Sequence, residues 1–370
     1  MKKPTRIWVN NFLFSIFWWV IQLVSPEKGE RLLYWGLQSG AFPNRSREDP
    51  RLAVNVLGFK LKTPIGVGPG FDKSEGVVDD LISMGAGFGE LGPYTLDAED
   101  PVTATFYLRR EKAILVQSLG YQNIGISGML PSLIKRRYLP NIVGVNIALV
   151  SEVEAENVKQ NHVMKYPEEF DLMTRKIAPY CDFITVNFSH PETELYRLVS
   201  DASTMIPLIK TIKRAAYEAA SVRTPKILVK IPLNMTPLEL PLVCQHLMAA
   251  DVDGIVVGGP LSLSQTKLKI TQQHYAGMLS GAPLKSYVVE LIGQVYRLTD
   301  GKIPIIACGG VWTGQDAYDC LAAGASLIQI GTVIRFEGPS AVTRINKELL
   351  AILKEKKLHF VSEAVGADFK

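Results

Sequence analysis

Residues 304–332 read PIIACGGVWTGQDAYDCLAAGASLIQIGT. Two short apolar runs, Pro304–Cys308 and Leu327–Ile330, flank a helical pattern over 314–323, and glycine follows each run. Apolar runs without alternation are what strands buried on both faces require. A strand, a helix and a second strand of this kind make one βαβ unit, with the two strands parallel.

The same rhythm extends through the chain from residue 62. Further strands are expected at Pro64–Gly68, Gly87–Leu91, Val143–Ile147, Phe183–Asn187, Ile227–Ile231 and Gly254–Val257, which makes eight. Helical patterns fall at 75–84, 154–178, 193–219, 236–250, 285–299 and, after the last strand, 340–356. Eight strand–helix units predict an α/β fold, a (β/α)8 TIM barrel. An open doubly wound sheet is the alternative, because a strand count does not prove closure. Residues 92–142 interrupt the rhythm with Thr103–Leu108, Ala113–Gln117 and a helix near 129–137. An insertion there sits at the C-terminal mouth of a barrel, where substrates bind.

The chain has 370 residues, 47% of them hydrophobic and 21% charged, which excludes disorder of the whole. Lys and Arg number 40 against 36 Asp and Glu, with no basic block, so no nucleic-acid partner is expected. Cys181, Cys244, Cys308 and Cys320 form no CxxC pair, and the five histidines show no HExxH spacing. Buried thiols and no metal are the expectation.

Between Arg6 and Glu27 lie twenty uncharged residues, 7–26, IWVNNFLFSIFWWVIQLVSP, preceded by Lys2, Lys3 and Arg6. A signal peptide lacks its small-residue cleavage site here. Asn11, Ser15 and Gln22 share one helical stripe, and Trp18 and Trp19 suit the headgroup zone. A helix lying in the membrane interface is therefore expected; a spanning anchor and a soluble core helix are the alternatives. Ser25-Pro26 starts a second helix over Glu27–Gln38, which Gly40 ends, and 41–50 reads as a linker. Residues 1–48 are thus a helical hairpin in front of a domain spanning 49–370.

Most strands end in Gly, Asn or Lys. The first runs into Gly66-Val67-Gly68-Pro69-Gly70-Phe71-Asp72-Lys73, the third ends with Asn146 and the fourth with Asn187. The fifth ends near Lys230, the sixth in Gly258-Gly259-Pro260, the seventh in Gly309-Gly310 and the eighth in Gly331-Thr332. Glycines let backbone approach a ligand, and the ends of the last two strands are where barrels hold phosphate. A lysine ending a buried strand needs a partner, such as a phosphate or an electron-rich ring.

These segments resemble the dihydroorotate dehydrogenase family. GVGPGFDK is similar to its AAGLDK-type motif and VNFSHPET to its INISSPNT segment, while LVKI, GMLSGAPL, IPIIACGG and AAGASLIQI follow in the family's order. The N-terminal hairpin with SPEKGERLL resembles the class 2, quinone-linked branch. The resemblance covers nearly the whole chain. It implies an FMN flavoprotein that oxidises dihydroorotate or a related small cyclic compound: hydride goes to the flavin and a base removes the neighbouring proton. It also implies a quinone acceptor and contact with membrane lipid through residues 7–26. The place it implies is the cytoplasmic face of an inner membrane, or the mitochondrial inner membrane in a eukaryote. By motif, Gly68, Gly70, Lys73, Asn146, Asn187, Lys230, Gly281, Gly309, Gly310, Gly331 and Thr332 contact FMN. Lys73, Gln117 and Asn187 face the substrate. Oligomeric state is left open.

The departures gather at the chemistry. His190 stands where the class 2 branch has its serine base, and Glu192 replaces the following asparagine. The family's NRxGFN segment reads Gln117-Ser118-Leu119-Gly120-Tyr121-Gln122. Its Thr-Asn-Thr reads Gly258-Gly259-Pro260, and its Gly-Lys-Asn-Lys reads Ala148-Leu149-Val150-Ser151. The arginine of its FRL-type segment aligns with Leu108, beside Arg109. Imidazole is the usual base near neutral pH, so His190 is the expected base, with Glu192 orienting it and Ser189 in reserve. A flavin-retaining paralogue that acts on another substrate, or serves as a catalytically silent binding or regulatory protein, is the alternative.

Overall fold

The computed structural model describes residues 24, 26–39, 42, 48–73, 76–99, 105–109, 113–118, 122–136, 138–149, 166–189, 198–220, 222–266 and 277–370. Of Thr105–Arg109, Gln117 and Ser118 it describes the backbone alone. Nearly all of the uncharged run 7–26 lies outside these residues, as do His190 and Glu192.

All eight expected strands are present and close into one parallel barrel. In chain order they are β3 (Ile65–Val67), β4 (Gly89–Tyr94), β7 (Val143–Ile147), β8 (Phe183–Asn187), β9 (Lys226–Ile231), β10 (Gly254–Gly258), β13 (Ile305–Cys308) and β14 (Leu327–Ile330). Closure joins the last to the first, with Ile328 opposite Ile65 and Ile330 opposite Val67. The open-sheet alternative is thereby excluded.

Around the barrel run α2 (Val78–Ser83), α3 (Gly125–Arg136), α4 (Tyr166–Ile177), α5 (Ala202–Ala219), α6 (Glu239–Ala249), α7 (Lys285–Leu298), α8 (Gly314–Ala322), α9 (Thr332–Glu337) and α10 (Ser340–Glu355). Helix α8 starts as its sequence suggests: the Thr313 side chain accepts from the Asp316 N–H, and Asp316 accepts from the Thr313 N–H, a capping box. Helix α9 is too short to show a period and was not expected from the sequence.

Two strands precede the barrel, β1 (Val54–Val56) and β2 (Phe59–Leu61), an antiparallel hairpin turning at Leu57-Gly58, both with positive φ. Phe59 and Leu61 enter a second apolar cluster with Phe88, Phe183, Leu228, Val256, Ile306 and Leu327, which plugs the end of the barrel opposite its mouth. The rings of Phe59 and Phe88 flank Phe183 at centroid distances of 6.4 and 6.3 Å. Gly144 makes room for that ring, since a Cβ there would fall 2.0 Å from it. Phe183→Ala is expected to lower the unfolding free energy by about 3–5 kcal/mol, read from urea midpoints.

The interval 92–142 forms β5 (Thr105–Arg109) and β6 (Ile114–Ser118), near the segments expected, and α3. It does not stand alone. Strands β11 (Leu261–Ser262) and β12 (Met278–Gly281), from the loop after β10, join it in a four-stranded antiparallel sheet ordered β11-β12-β6-β5.

Helix α1 (Pro26–Gln38) matches the expected second helix. Leu33 and Leu37 are buried in the main core, while Trp35 on another face is 54% exposed. The Tyr34 hydroxyl donates to the Phe71 carbonyl, and its ring meets the Phe71 ring edge-on at 5.7 Å. Helix α1 is thus tied to the loop that follows β3. Among the described residues no helix is long and apolar enough to cross a membrane.

Candidate functional site

The C-terminal ends of β3, β9, β10, β13 and β14 open onto one cleft of about 610 Å³, part of it open solvent. Gly68 and Gly70 line it after β3, Lys230 from β9, Gly309 after β13, and Gly331 with Thr332 after β14. The insertion sheet closes it from above through Leu115 of β6 and Gly281 of β12. The spacing of barrel strands therefore brings together seven of the expected cofactor residues from four barrel strand ends and one sheet strand.

Asn146 and Asn187, fully and nearly fully buried, end β7 and β8 behind that lining. The Asn187 Oδ1 accepts from the Ser189 N–H at 2.9 Å and from its hydroxyl at 2.7 Å. Gly310 has φ +75, and a Cβ there would meet the Lys285 backbone at 2.8 Å. It and half-buried Lys73 stand just outside the lining. Gln117 is placed by its backbone in β6, opposite Met278. Ser189 is buried beside Gly259, where a Cβ would come within 2.9 Å of its hydroxyl; φ +144 at Gly259 also favours glycine. His190 and Glu192 follow Ser189 directly in the chain and lie outside the described residues.

The loop after β3 is fixed from below. Asp72 is fully buried and accepts from the Gly76 and Val78 N–H groups at 2.9 and 2.8 Å. Burial holds its carboxyl above the usual range, and these backbone donors work against that shift. Arg335 of α9 lines the cleft, donates to the Gly70 carbonyl at 2.8 Å and lies over the Phe71 ring.

Sequence reasoning missed the polar floor. Glu90 in β4 is fully buried, with its carboxylate accepting from Asn146 Nδ2 and Gln329 Nε2. Burial raises its pKa; the Asn146 hydrogen bond, the Lys230 charge and the Gln329 hydrogen bond oppose this. Cys308 is also in the lining, and burial pushes its thiol up against the pull of Lys230. A charged letter inside the apolar run Gly87–Leu91 was the available signal for Glu90.

The donor set suits FMN. Lys230 supplies a buried cation to the cleft, and Leu115, Leu284 and Ile330 supply apolar walls for a ring. A Cβ placed on Gly70, Gly309 or Gly331 would meet nothing within 4 Å, so backbone faces open space where a ligand would lie. The carbonyl oxygens of Asn146 and Gln329 are buried without a hydrogen-bond partner. A buried acceptor left in that state costs about 1–3 kcal/mol, which a ligand donor can relieve.

A closed parallel barrel with a glycine-lined cleft at the C-terminal ends of its strands defines the (β/α)8 barrels, whose active sites sit at that face. The comparisons narrow it. The family model for dihydroorotate dehydrogenase matches residues 51–353, and the chain belongs to that family, and with it to the oxidoreductases. It is 32% identical to the dihydroorotate dehydrogenase (quinone) of Azorhizobium caulinodans, over 95% of this chain and 97% of that one. With the mitochondrial dihydroorotate dehydrogenase (quinone) of Mus musculus the identity is 30%, over 94% and 88%. Among solved structures it resembles the ligand-free DHODH of Eimeria tenella, with a TM-score of 0.83, 26% identity and coverage of 94% and 100%.

Proposed function

We propose that the chain holds FMN in the cleft and oxidises dihydroorotate, or a small cyclic compound like it, passing the electrons to a membrane quinone. The observation that carries this is the convergence of Lys230 and the glycines 68, 70, 281, 309 and 331 on one cleft at the barrel mouth. When bound, FMN supplies a two-electron acceptor for hydride. Lys230 holds the electron-rich end of the ring, and Gly309, Gly331 and Thr332 take the phosphate at the ends of the seventh and eighth barrel strands. Asn187 and Lys73 orient the substrate, and His190 takes the proton. Leu115 and Gly281 exclude water from above.

Residues 1–48 form the membrane- and acceptor-facing segment and 49–370 the barrel. The attachment of α1 to Phe71, a residue of the cleft lining, supports this. Trp35, exposed on α1, suits the headgroup zone that residues 7–26 are expected to enter.

A second substrate reading is favoured by Gly259-Pro260. These residues line the cleft and carry no polar side-chain atom for a ureide ring. A site built on buried hydrogen bonds discriminates steeply by which partners it offers. The deciding experiment is an anaerobic spectral screen of purified protein in vesicles against dihydroorotate, dihydropyrimidines and related cyclic compounds. Flavin bleaching by dihydroorotate, restored by added quinone, supports the first reading. Bleaching by another ring alone supports the second, and a protein without flavin ends both.

A further inference from the structure

Glu90 lies at the centre of the barrel, and none of its side chain reaches solvent. Its Oε1 accepts from Asn146 Nδ2 at 2.7 Å and its Oε2 from Gln329 Nε2 at 2.5 Å. Both carboxylate oxygens accept, so each amide gives its N–H to Glu90 and turns its oxygen away. Those two oxygens, Asn146 Oδ1 and Gln329 Oε1, are buried and have no hydrogen-bond partner. Gln329 is itself part of the cleft wall. One carboxylate thus fixes the orientation of two amides, one on β7 and one on β14, and both are left needing a donor.

We propose that Glu90 is a positioning residue of the cofactor site, clamping the amides of Asn146 and Gln329 so that Gln329 presents its oxygen to the N–H of the flavin's pyrimidine ring. This rests on the flavin reading above. The oxidised flavin ring carries a single N–H, at N3, between two carbonyls. An acceptor for that N–H, beside the Lys230 cation as donor to the carbonyls, complements the edge. Glu90 has a second effect there. When ionised it acts on Lys230 through space, so it moderates the positive field that the ring feels. A glutamine at 90 would have to donate from one of its two terminal atoms. One partner amide would then turn over and offer an N–H where the ring needs an acceptor.

The test uses the full chain, stripped of flavin and titrated by fluorescence with FMN and with FMN methylated at N3. Wild type should bind the methylated form at least about tenfold more weakly, the worth of one hydrogen bond of about 1.4 kcal/mol. In Glu90→Gln, FMN itself should bind about tenfold more weakly, and the preference over the methylated form should shrink. Its midpoint potential should also move positive, by about 30 mV for a tenfold gain in preference for the reduced form. Equal binding of the two flavins by wild type overturns the proposal, and that result stands even if the variant fails to fold. An unchanged preference and potential in a folded variant overturn it as well. Wild type that takes no FMN instead overturns the functional reading, and this inference with it.

Discussion

Lys230→Met should purify colourless and should lose about 3–5 kcal/mol of stability at pH 8, with much less lost at pH 5. Lys230 is 4% exposed, and Glu90 is fully buried within reach of its charge. Removing the cation leaves a buried carboxylate without its counter-charge, and that leftover charge carries most of the cost. Because burial raises the folded-state pKa of Glu90, its contribution is complete below the ordinary carboxylate range and is lost as pH climbs through the raised value. Loss of Lys230 raises that value further, so the deficit relative to wild type must grow with pH. Urea unfolding of both proteins without flavin, at the two pH values, measures it. A deficit independent of pH would show that Lys230 stabilises through packing alone. Adding Glu90→Gln to the variant should restore most of the stability but not the colour.

His190→Ala is expected to slow flavin reduction by substrate by about 100-fold or more, with FMN binding unchanged. The reason lies in its neighbour. The Ser189 hydroxyl is committed as a donor to Asn187 Oδ1 at 2.7 Å, in a buried corner under Gly259. A base must instead present a free lone pair to the proton it takes, and imidazole does so near neutral pH. Ser189→Ala is therefore expected to slow reduction less than His190→Ala does. Stopped-flow reduction without oxygen separates the two; equal rates in wild type and His190→Ala would remove His190 from the proton transfer.

The eight barrel strands were legible because each is a run of apolar residues whose two faces both need cover. The hairpin of β1 and β2 was not, since exposed Asn55 and Lys60 break its apolar runs and three residues are too few to show alternation. Nor was the pairing of β12 with β6, which joins segments far apart in the chain. At the site, glycines and lysine at strand ends could be read because their position relative to the strands is local. Glu90 could not, because its role depends on Asn146, Gln329 and Lys230, which only barrel closure brings beside it. The resemblance supplied the cofactor, and its departures at 190, 192, 259 and 260 supplied the question of substrate.

The sheet over the cleft has one more consequence, in the order of events during synthesis. Its strand β6 emerges early and β12 late, with Leu279 set opposite Val116. The roof therefore cannot be completed until most of the barrel has left the ribosome. Until then β6 presents an unpaired edge, the kind of surface on which partly made chains associate wrongly. Nearly half of the chain is made between β6 and β12, with the cleft open and the strand exposed, and the arrival of β12 removes both at once.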